Sequence, residues 1–477
     1  MAEDTMREPT TVPLVVDLDG TLIHSDLLWE SILIFIKTHF LQLWRLPFWL
    51  LLGKAAFKEK MASMVDLDPA ALPYDQVLLA DLARQRAQGR LIVLATGSQR
   101  RYADVIAAHL GLFGRVLATE GGVNLTSHNK AAQLKQAFGD KGFDYIGNAS
   151  VDIAVWNASN DAFSVTLKPF HLAGGLSTRA AGTPRAGWLG PLFKAMRPRQ
   201  WLKNLLVFVP MLAGHALHAE AFLQSLVAFL AFSLCASSAY LLNDALDAAD
   251  DRRHPVKCRR PIAAGKLPLS VAMLASPLLA GAALAICAAF DPLLLCVVVV
   301  YFITTLAYSL HLKRLLMVDI VTLALLYTLR ILGGSAATHI EPSFWLLAFS
   351  FFIFLSLALL KRYSELFNLE RQGKERTSGR NYTTLDKAPI GIMGINSGFI
   401  SLLVFMLYFN SDNVVVLYTR PYILLGIVPL LVFWLGRLWT LSFRGEVNED
   451  PVLYVSKDGV SLCIIALSML LAVGASL

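Results

Sequence analysis

One short run concentrates the residue types best suited to chemistry. Asn243, Asp244, Asp247, Asp250 and Asp251 are followed by Arg252, Arg253, His254, Lys257, Arg259 and Arg260. The run follows directly on an apolar stretch, 221–242. An aspartate at the bilayer centre costs about 2.5–3.5 kcal/mol on insertion scales, so acids at the mouth of an apolar helix mark a site. Asn243, Asp247 and Asp251 recur at every fourth position. On a helix that spacing stacks three oxygen-bearing side chains on one face. Such a face suits a hard cation like Mg²⁺, whose shell is commonly completed by phosphate oxygens. The basic residues just beyond could bind the same phosphates. The pattern points to a membrane enzyme acting on a diphosphate.

A second set of chemical residues lies near the start of the chain. The apolar segment 12–16 ends in Asp17-Leu18-Asp19-Gly20-Thr21. Two acids two apart at a strand end can share one sheet edge. One could attack a phosphoryl group while the other protonates the leaving oxygen. A second apolar segment, 91–95, ends in Thr96-Gly97-Ser98, and Lys130, Lys135 and then Gly147-Asn148-x-x-x-Asp152 follow. These motifs, in this order, resemble the haloacid dehalogenase-like phosphatases over about residues 11–170. The resemblance implies Asp17 as nucleophile, Asp19 as general acid/base, Thr96 and Lys130 (or Lys135) on the phosphate, and Asp17 with Asp152 on Mg²⁺. One position departs from the family: Asn148 stands where its fourth motif usually has a carboxylate. That leaves two readings, a working phosphatase or a degenerate regulatory domain.

The elements that must hold these residues differ in kind. The chain has 477 residues, is 56% hydrophobic and has a mean hydropathy of +0.55. The apolar mass is uneven: residues 1–195 read as a soluble α/β domain and 196–477 as near-continuous apolar spans. The expected architecture is therefore two-domain. An N-terminal α/β (Rossmannoid) domain, 1–173, carries a helical cap at about 27–85. A linker rich in Gly, Ala, Pro and Arg follows at 174–195. A C-terminal all-α multi-span membrane bundle occupies 196–477, with about nine transmembrane helices. The spans are read at roughly 201–218, 221–242, 268–290, 292–310, 315–337, 344–360, 390–409, 421–436 and 459–477. Residues 40–53 of the cap are unusually apolar and aromatic. They fit an interfacial helix or hairpin, or a cap packed on the membrane bundle.

Basic residues crowd the loops at 252–266, 313–314 and 361–387, while the opposite loops carry only Arg420. The positive-inside rule puts the basic loops in the cytoplasm of a cell (inner) membrane protein. The start of the chain has no apolar core of the signal-peptide kind, which is expected to keep the first domain on the same side. The net charge of +7 is thereby explained by loops, and nucleic acid is not an expected partner. Cys235, Cys258, Cys287, Cys296 and Cys463 show no metal or pairing pattern.

The spans, the Asn243-Asp244-x-x-Asp247-x-x-x-Asp251 run and the Arg260-Pro-Ile-Ala-x-Gly265 that follows resemble the UbiA-type intramembrane prenyltransferases. The extension His254-Pro255-x-Lys257 and the upstream Met196-Arg197-Pro198-x-Gln200-Trp201-x-Lys203-Asn204 are similar to the decaprenyl-phosphate phosphoribosyltransferase branch. That branch implies attack of a polyprenyl phosphate on C1 of phosphoribosyl diphosphate. Mg²⁺ would sit on Asn243, Asp247 and Asp251, and Arg197, Lys203, Asn204, His254, Lys257 and Arg260 would contact substrate. After the fourth span, relatives carry a second acidic motif; here stand Tyr308, Lys313 and Arg314. The resemblance implies that these cations meet phosphate directly. Arg330 lies eleven residues beyond Asp319. It either pairs with that acid or contacts phosphate. Lys361 and Arg362 either contact phosphate or anchor the helix end. Two other functions stay open: transfer of a prenyl group from its diphosphate to an aromatic or lipid acceptor, and transport controlled by the first domain.

Overall fold

The computed structural model describes residues 12–121, 124–185, 187–377, 380–408, 417–447 and 450–477. Two compact units emerge, Met1–Ala195 with Leu241–Ala275, and Met196–Tyr240 with Ser276–Leu477. The segment bearing the aspartate run thus belongs to the first unit.

The first unit is built on a parallel sheet of six strands in the order β3-β2-β1-β4-β5-β6. The strands are β1 (Leu14–Val16), β2 (Ile92–Gln99), β3 (Arg115–Thr119), β4 (Asp144–Gly147), β5 (Ala162–Thr166) and β6 (Arg179–Arg185). β1 is central, with Val15 opposite Val93 on one side and Tyr145 on the other. Its residues are all buried, as expected of a parallel strand covered on both faces. Strand order reverses beside β1, between β2 and β4. Ligands of open α/β sheets bind beyond the carboxyl ends of strands at such a switch point, and Asp17 follows the last residue of β1 there.

Between β1 and β2 the cap is helical, with helices Leu27–Thr38, Arg45–Leu51 and Lys54–Met64 around Phe35, Phe57, Met61 and Val65. Its tip leaves Phe40, Leu41, Trp44, Phe48, Leu50, Leu51 and Leu52 exposed. The stretch expected to be linker contributes β6 instead. It pairs with β5 (Phe163 opposite Arg179), and Thr183 donates to Asp75 from its N–H at 2.8 Å and its hydroxyl at 2.9 Å. Gly, Ala and Arg are poor strand formers, so the segment gives little local signal. Its place is set by the sheet edge and by Asp75.

The second unit and the helices that border it carry the membrane spans. Among the described residues eight helices, not nine, are long and apolar enough to cross a membrane, which makes this a multi-pass membrane protein. The missing one is the first. Residues 201–218 fall into a 3-10 run, Pro198–Phe208, and a five-residue helix, Val209–Ala213. Pro198 and Pro210 each open one of these elements, and a proline inside a continuous helix would cost about 3 kcal/mol. Lys203 and Asn204 in this run are buried.

Candidate functional sites

In the first unit the motifs converge. Asp17 Oδ1 takes the Lys130 ammonium at 2.7 Å, and Asp17 Oδ2 accepts from the Thr21 hydroxyl at 3.2 Å. Asp19 accepts from Leu27 N–H at 2.8 Å, Ser98 Oγ at 2.6 Å and Thr96 Oγ1 at 3.2 Å. Gly20 has φ +76°, and a Cβ there would lie 2.1 Å from Asn148 Nδ2, so only glycine lets the two loops meet. Of the two lysines named from sequence, the structure brings Lys130 to Asp17. Lys135 pairs with Asp140 at the surface.

Asp152 is buried under the same motif. Its Oδ1 accepts from the Tyr145 hydroxyl at 2.9 Å and its Oδ2 from the N–H groups of Asn148 and Ala149. It therefore holds the turn that presents Asn148 and keeps one oxygen, Oδ1, toward Lys130 at 3.9 Å. Burial pushes both Asp17 and Asp19 up to about 6; Lys130 opposes this at Asp17, while Asp26 adds to it at Asp19. A nucleophile must be ionised and an acid protonated. Hydrolysis of p-nitrophenyl phosphate should therefore peak near pH 6 and fall on both sides. A rate rising steadily to pH 9 would remove Asp19 from the acid role.

Lys58 was not legible as a site residue. From the cap helix Lys54–Met64 its ammonium reaches the Gly97 carbonyl at 2.6 Å and Asn124 Oδ1 at 3.2 Å. Burial lowers its pKa against the pull of Asp19 and Asp26. No spacing relates a cap lysine to the strand-end motifs, so sequence carried no signal for it.

The aspartate run crosses a helix break. The helix Ala219–Leu246 ends before Asp247, and a short helix Ala248–Arg253 follows. Two backbone bonds bridge the joint, Asp247 N–H to Asn243 O at 2.9 Å and Asp251 N–H to Asp247 O at 2.8 Å. Arg260 sits on the acids, 2.6 Å from Asp251 Oδ2 and 3.1 Å from Asp244 Oδ1. Burial nonetheless raises the Asp251 pKa against the pull of Arg260. His254 Nδ1 accepts from Val256 and Lys257 N–H groups, ordering the turn, and Lys257 is exposed. Among the described residues no three His, Cys, Asp or Glu side chains converge as a metal site. Asn243, Asp247 and Asp251 nevertheless offer only oxygens, the donor chemistry a hard cation requires.

The remaining candidates lie in the second unit and form two buried polar groups. In one, Lys203 and Lys361 share Asp450, at 2.7 and 3.3 Å. Asp450 keeps only 11% side-chain exposure, and the two lysines hold its carboxyl below the usual range. Sequence reasoning missed it, because an aspartate before Pro451 reads simply as a helix cap, a role it also fills through Val452 N–H. Asn204 connects this group to Arg330, accepting from its Nε at 2.8 Å and donating to Ser233 at 3.0 Å. Arg330 also donates to Tyr301 at 2.8 Å, and Arg197 lies 5.0 Å from the Tyr240 ring.

In the other group Arg362, which is fully buried, bridges Asp319 and Glu365. Tyr382 donates to Asp319 at 2.6 Å, and Arg380 joins Glu365 at 2.7 Å and Tyr308. The considered Asp319–Arg330 pair is not formed. Eleven residues of helix separate them by about 16 Å along the axis, too far for side chains on one face to meet. Lys313 and Arg314 lie in a 3-10 turn, Lys313 half-buried and Arg314 exposed.

Comparison with known proteins finds two families in the chain. The UbiA prenyltransferase family profile matches residues 207–455, and that of haloacid dehalogenase-like hydrolase residues 14–155. The uncharacterized protein y4nM of Sinorhizobium fredii is 34% identical over 96% of this chain and 89% of its own. Decaprenyl-phosphate phosphoribosyltransferase of Mycobacterium tuberculosis is 32% identical over 61% of this chain and 96% of its own. A solved UbiA homolog from Archaeoglobus fulgidus, bound to GPP and Mg²⁺, aligns at TM-score 0.47 and 16% identity over 59% of this chain and 99% of its own. The chain is an enzyme of the UbiA prenyltransferase family with a fused haloacid dehalogenase-like hydrolase domain.

Proposed function

We propose that the membrane half transfers 5-phosphoribosyl from phosphoribosyl diphosphate to a polyprenyl phosphate, and that the hydrolase half removes the 5-phosphate of the product. The observation that carries this reading is the match to nearly the whole of a decaprenyl-phosphate phosphoribosyltransferase. The aspartate run with its basic flank is consistent with it. Asn243, Asp247 and Asp251 would hold Mg²⁺, which supplies positive charge to the diphosphate. Arg260, already on Asp251, would meet the charge of the leaving diphosphate. The phosphate oxygen of the lipid attacks C1 of the ribose, the bond from C1 to diphosphate breaks, and diphosphate departs with its electron pair. Fixed cations that meet the growing charge lower such a barrier. Lys203, Lys313, Arg330, Lys361 and Arg362 remain candidates for substrate phosphate.

In the hydrolase half, Asp17 would attack the 5-phosphate while Asp19 protonates the ribose oxygen. Water would then release phosphate from Asp17, with Asp19 taking its proton. Lys130 and Thr96 would steady the phosphoryl oxygens, and Asp17, Asn148 and Asp152 offer the oxygens for Mg²⁺. The exposed aromatic tip of the cap supports contact with the lipid interface. The positive-inside pattern supports a cytoplasmic face for both halves in the cell membrane.

The purified protein, given polyprenyl phosphate with phosphoribosyl diphosphate and a prenyl diphosphate side by side, should form only the ribosylated lipid. Exclusive prenylation of an added aromatic or lipid acceptor would replace this reading with the other chemistry of the family. Solute flux in vesicles without any transfer product would replace it with transport.

A further inference from the structure

The short helix Ala248–Arg253 carries Asp251, and its other charged residues all point to partners on the cap of the hydrolase-like fold. Lys37 meets Asp250 at 2.6 Å, Arg252 meets Glu30 at 2.6 Å, and Arg253 pairs with Asp68. The middle pair is buried, at 8% exposure for Arg252 and 5% for Glu30. Glu30 also accepts from the Ser25 hydroxyl, and Arg252 donates to the Ala71 carbonyl at 3.2 Å. Just downstream, Gly265 has φ +68°, and a Cβ there would lie 2.2 Å from that of His24. Cap and loop therefore approach at van der Waals distance at a second point.

The middle pair is not an ordinary surface pair. Exposed ion pairs contribute little and tolerate many geometries. A buried pair carries a large desolvation cost, and its best-attested use is to fix register. Here the paired residues of the loop helix run acid, base, base and the cap answers with base, acid, acid. Only one register of the segment satisfies all three.

We propose that the cap is the docking platform of the aspartate-bearing segment and sets the position of Asp247 and Asp251. The transferase then depends on the hydrolase half as a physical support, whether or not Asp17 can react. This rests on the metal-binding reading of the run, and the experiment separates the two. In the full-length protein, Glu30→Arg should speed amide hydrogen exchange over residues 248–266 by about tenfold or more, since local opening sets exchange there. It should also raise the Mg²⁺ concentration for half-maximal transfer by about tenfold, the usual effect of losing a group that orients a metal ligand. The swapped pair, Glu30→Arg with Arg252→Glu, should restore both. Hydrolysis of p-nitrophenyl phosphate should stay unchanged in Glu30→Arg. The exposed pairs supply a milder variant, Lys37→Met with Asp68→Asn, which should move exchange and Mg²⁺ dependence the same way if Glu30→Arg does not fold. Unchanged exchange over 248–266 overturns the docking. Faster exchange with unaltered Mg²⁺ dependence overturns its role in transfer. If wild type forms no ribosylated lipid, the proposed function fails, while exchange still judges the docking.

Discussion

Asp247→Asn should lower transfer by about 1000-fold or more, equivalent to about 4 kcal/mol of barrier, while leaving the protein folded. Asp247 stands at the joint between the helices Ala219–Leu246 and Ala248–Arg253, and its backbone rather than its side chain bridges the break. An amide preserves shape and hydrogen bonding but removes the charge that a divalent cation needs. Of the other two proposed ligands Asn243 is a neutral amide, so Asp251 alone would be left to supply carboxylate charge. The measurement is product formation by mass spectrometry in detergent, with an unaltered melting curve as the control for folding. Turnover within tenfold of wild type would sink the metal assignment.

The second large effect concerns the order of steps. Asp17→Asn should leave transfer intact and abolish dephosphorylation, so that the lipid product keeps its 5-phosphate. The amide is a poor nucleophile, and a loss of about 1000-fold or more is expected for removing the attacking group. Asparagine still accepts a hydrogen bond from Lys130, and Asp152 at 3.9 Å remains as its counter-charge. The buried lysine is thus not abandoned, which would cost about 3–5 kcal/mol. Lipid extracts of wild type and variant, compared by mass, give the answer directly. Equal phosphate content in both would show that the two halves do not act in sequence.

What the chain disclosed in advance depended on the range of the interaction. Asp17, Asp19 and Thr96 were legible because short strands and fixed offsets tie their chemistry to local pattern, whereas the lysine was legible only as Lys130 or Lys135. The apolar spans were legible because lipid imposes length and composition on each helix separately. The first expected span failed because hydropathy averages over Pro210, which opens a new short helix inside the stretch. β6 was hidden because an edge strand can be recruited by its neighbour and by one side chain, Asp75, a hundred residues away. The buried charges were named one by one, yet their partners were not. Arg330 finds Asn204, Arg362 finds Asp319, and Glu30 finds Arg252 across 126, 43 and 222 residues respectively. Pairing over such distances is a property of the assembled fold, and a helical wheel cannot anticipate it.

The lysine pair around Asp450 has a consequence for biosynthesis. Lys203 lies near the start of the membrane half, and its counter-charge arrives 247 residues later, ahead of the last apolar helix. Chains fold as they emerge from the ribosome, N-terminal parts first. Until residue 450 has been made, Lys203 and Lys361 are two cations without this acid between them. Closing the triad is therefore a late event, and it makes the C-terminal segment a checkpoint. A chain truncated before Asp450 retains most of its spans yet lacks the anion that lets the earliest buried lysine of its membrane half settle. Such a product is one that membrane quality control can tell from the finished enzyme.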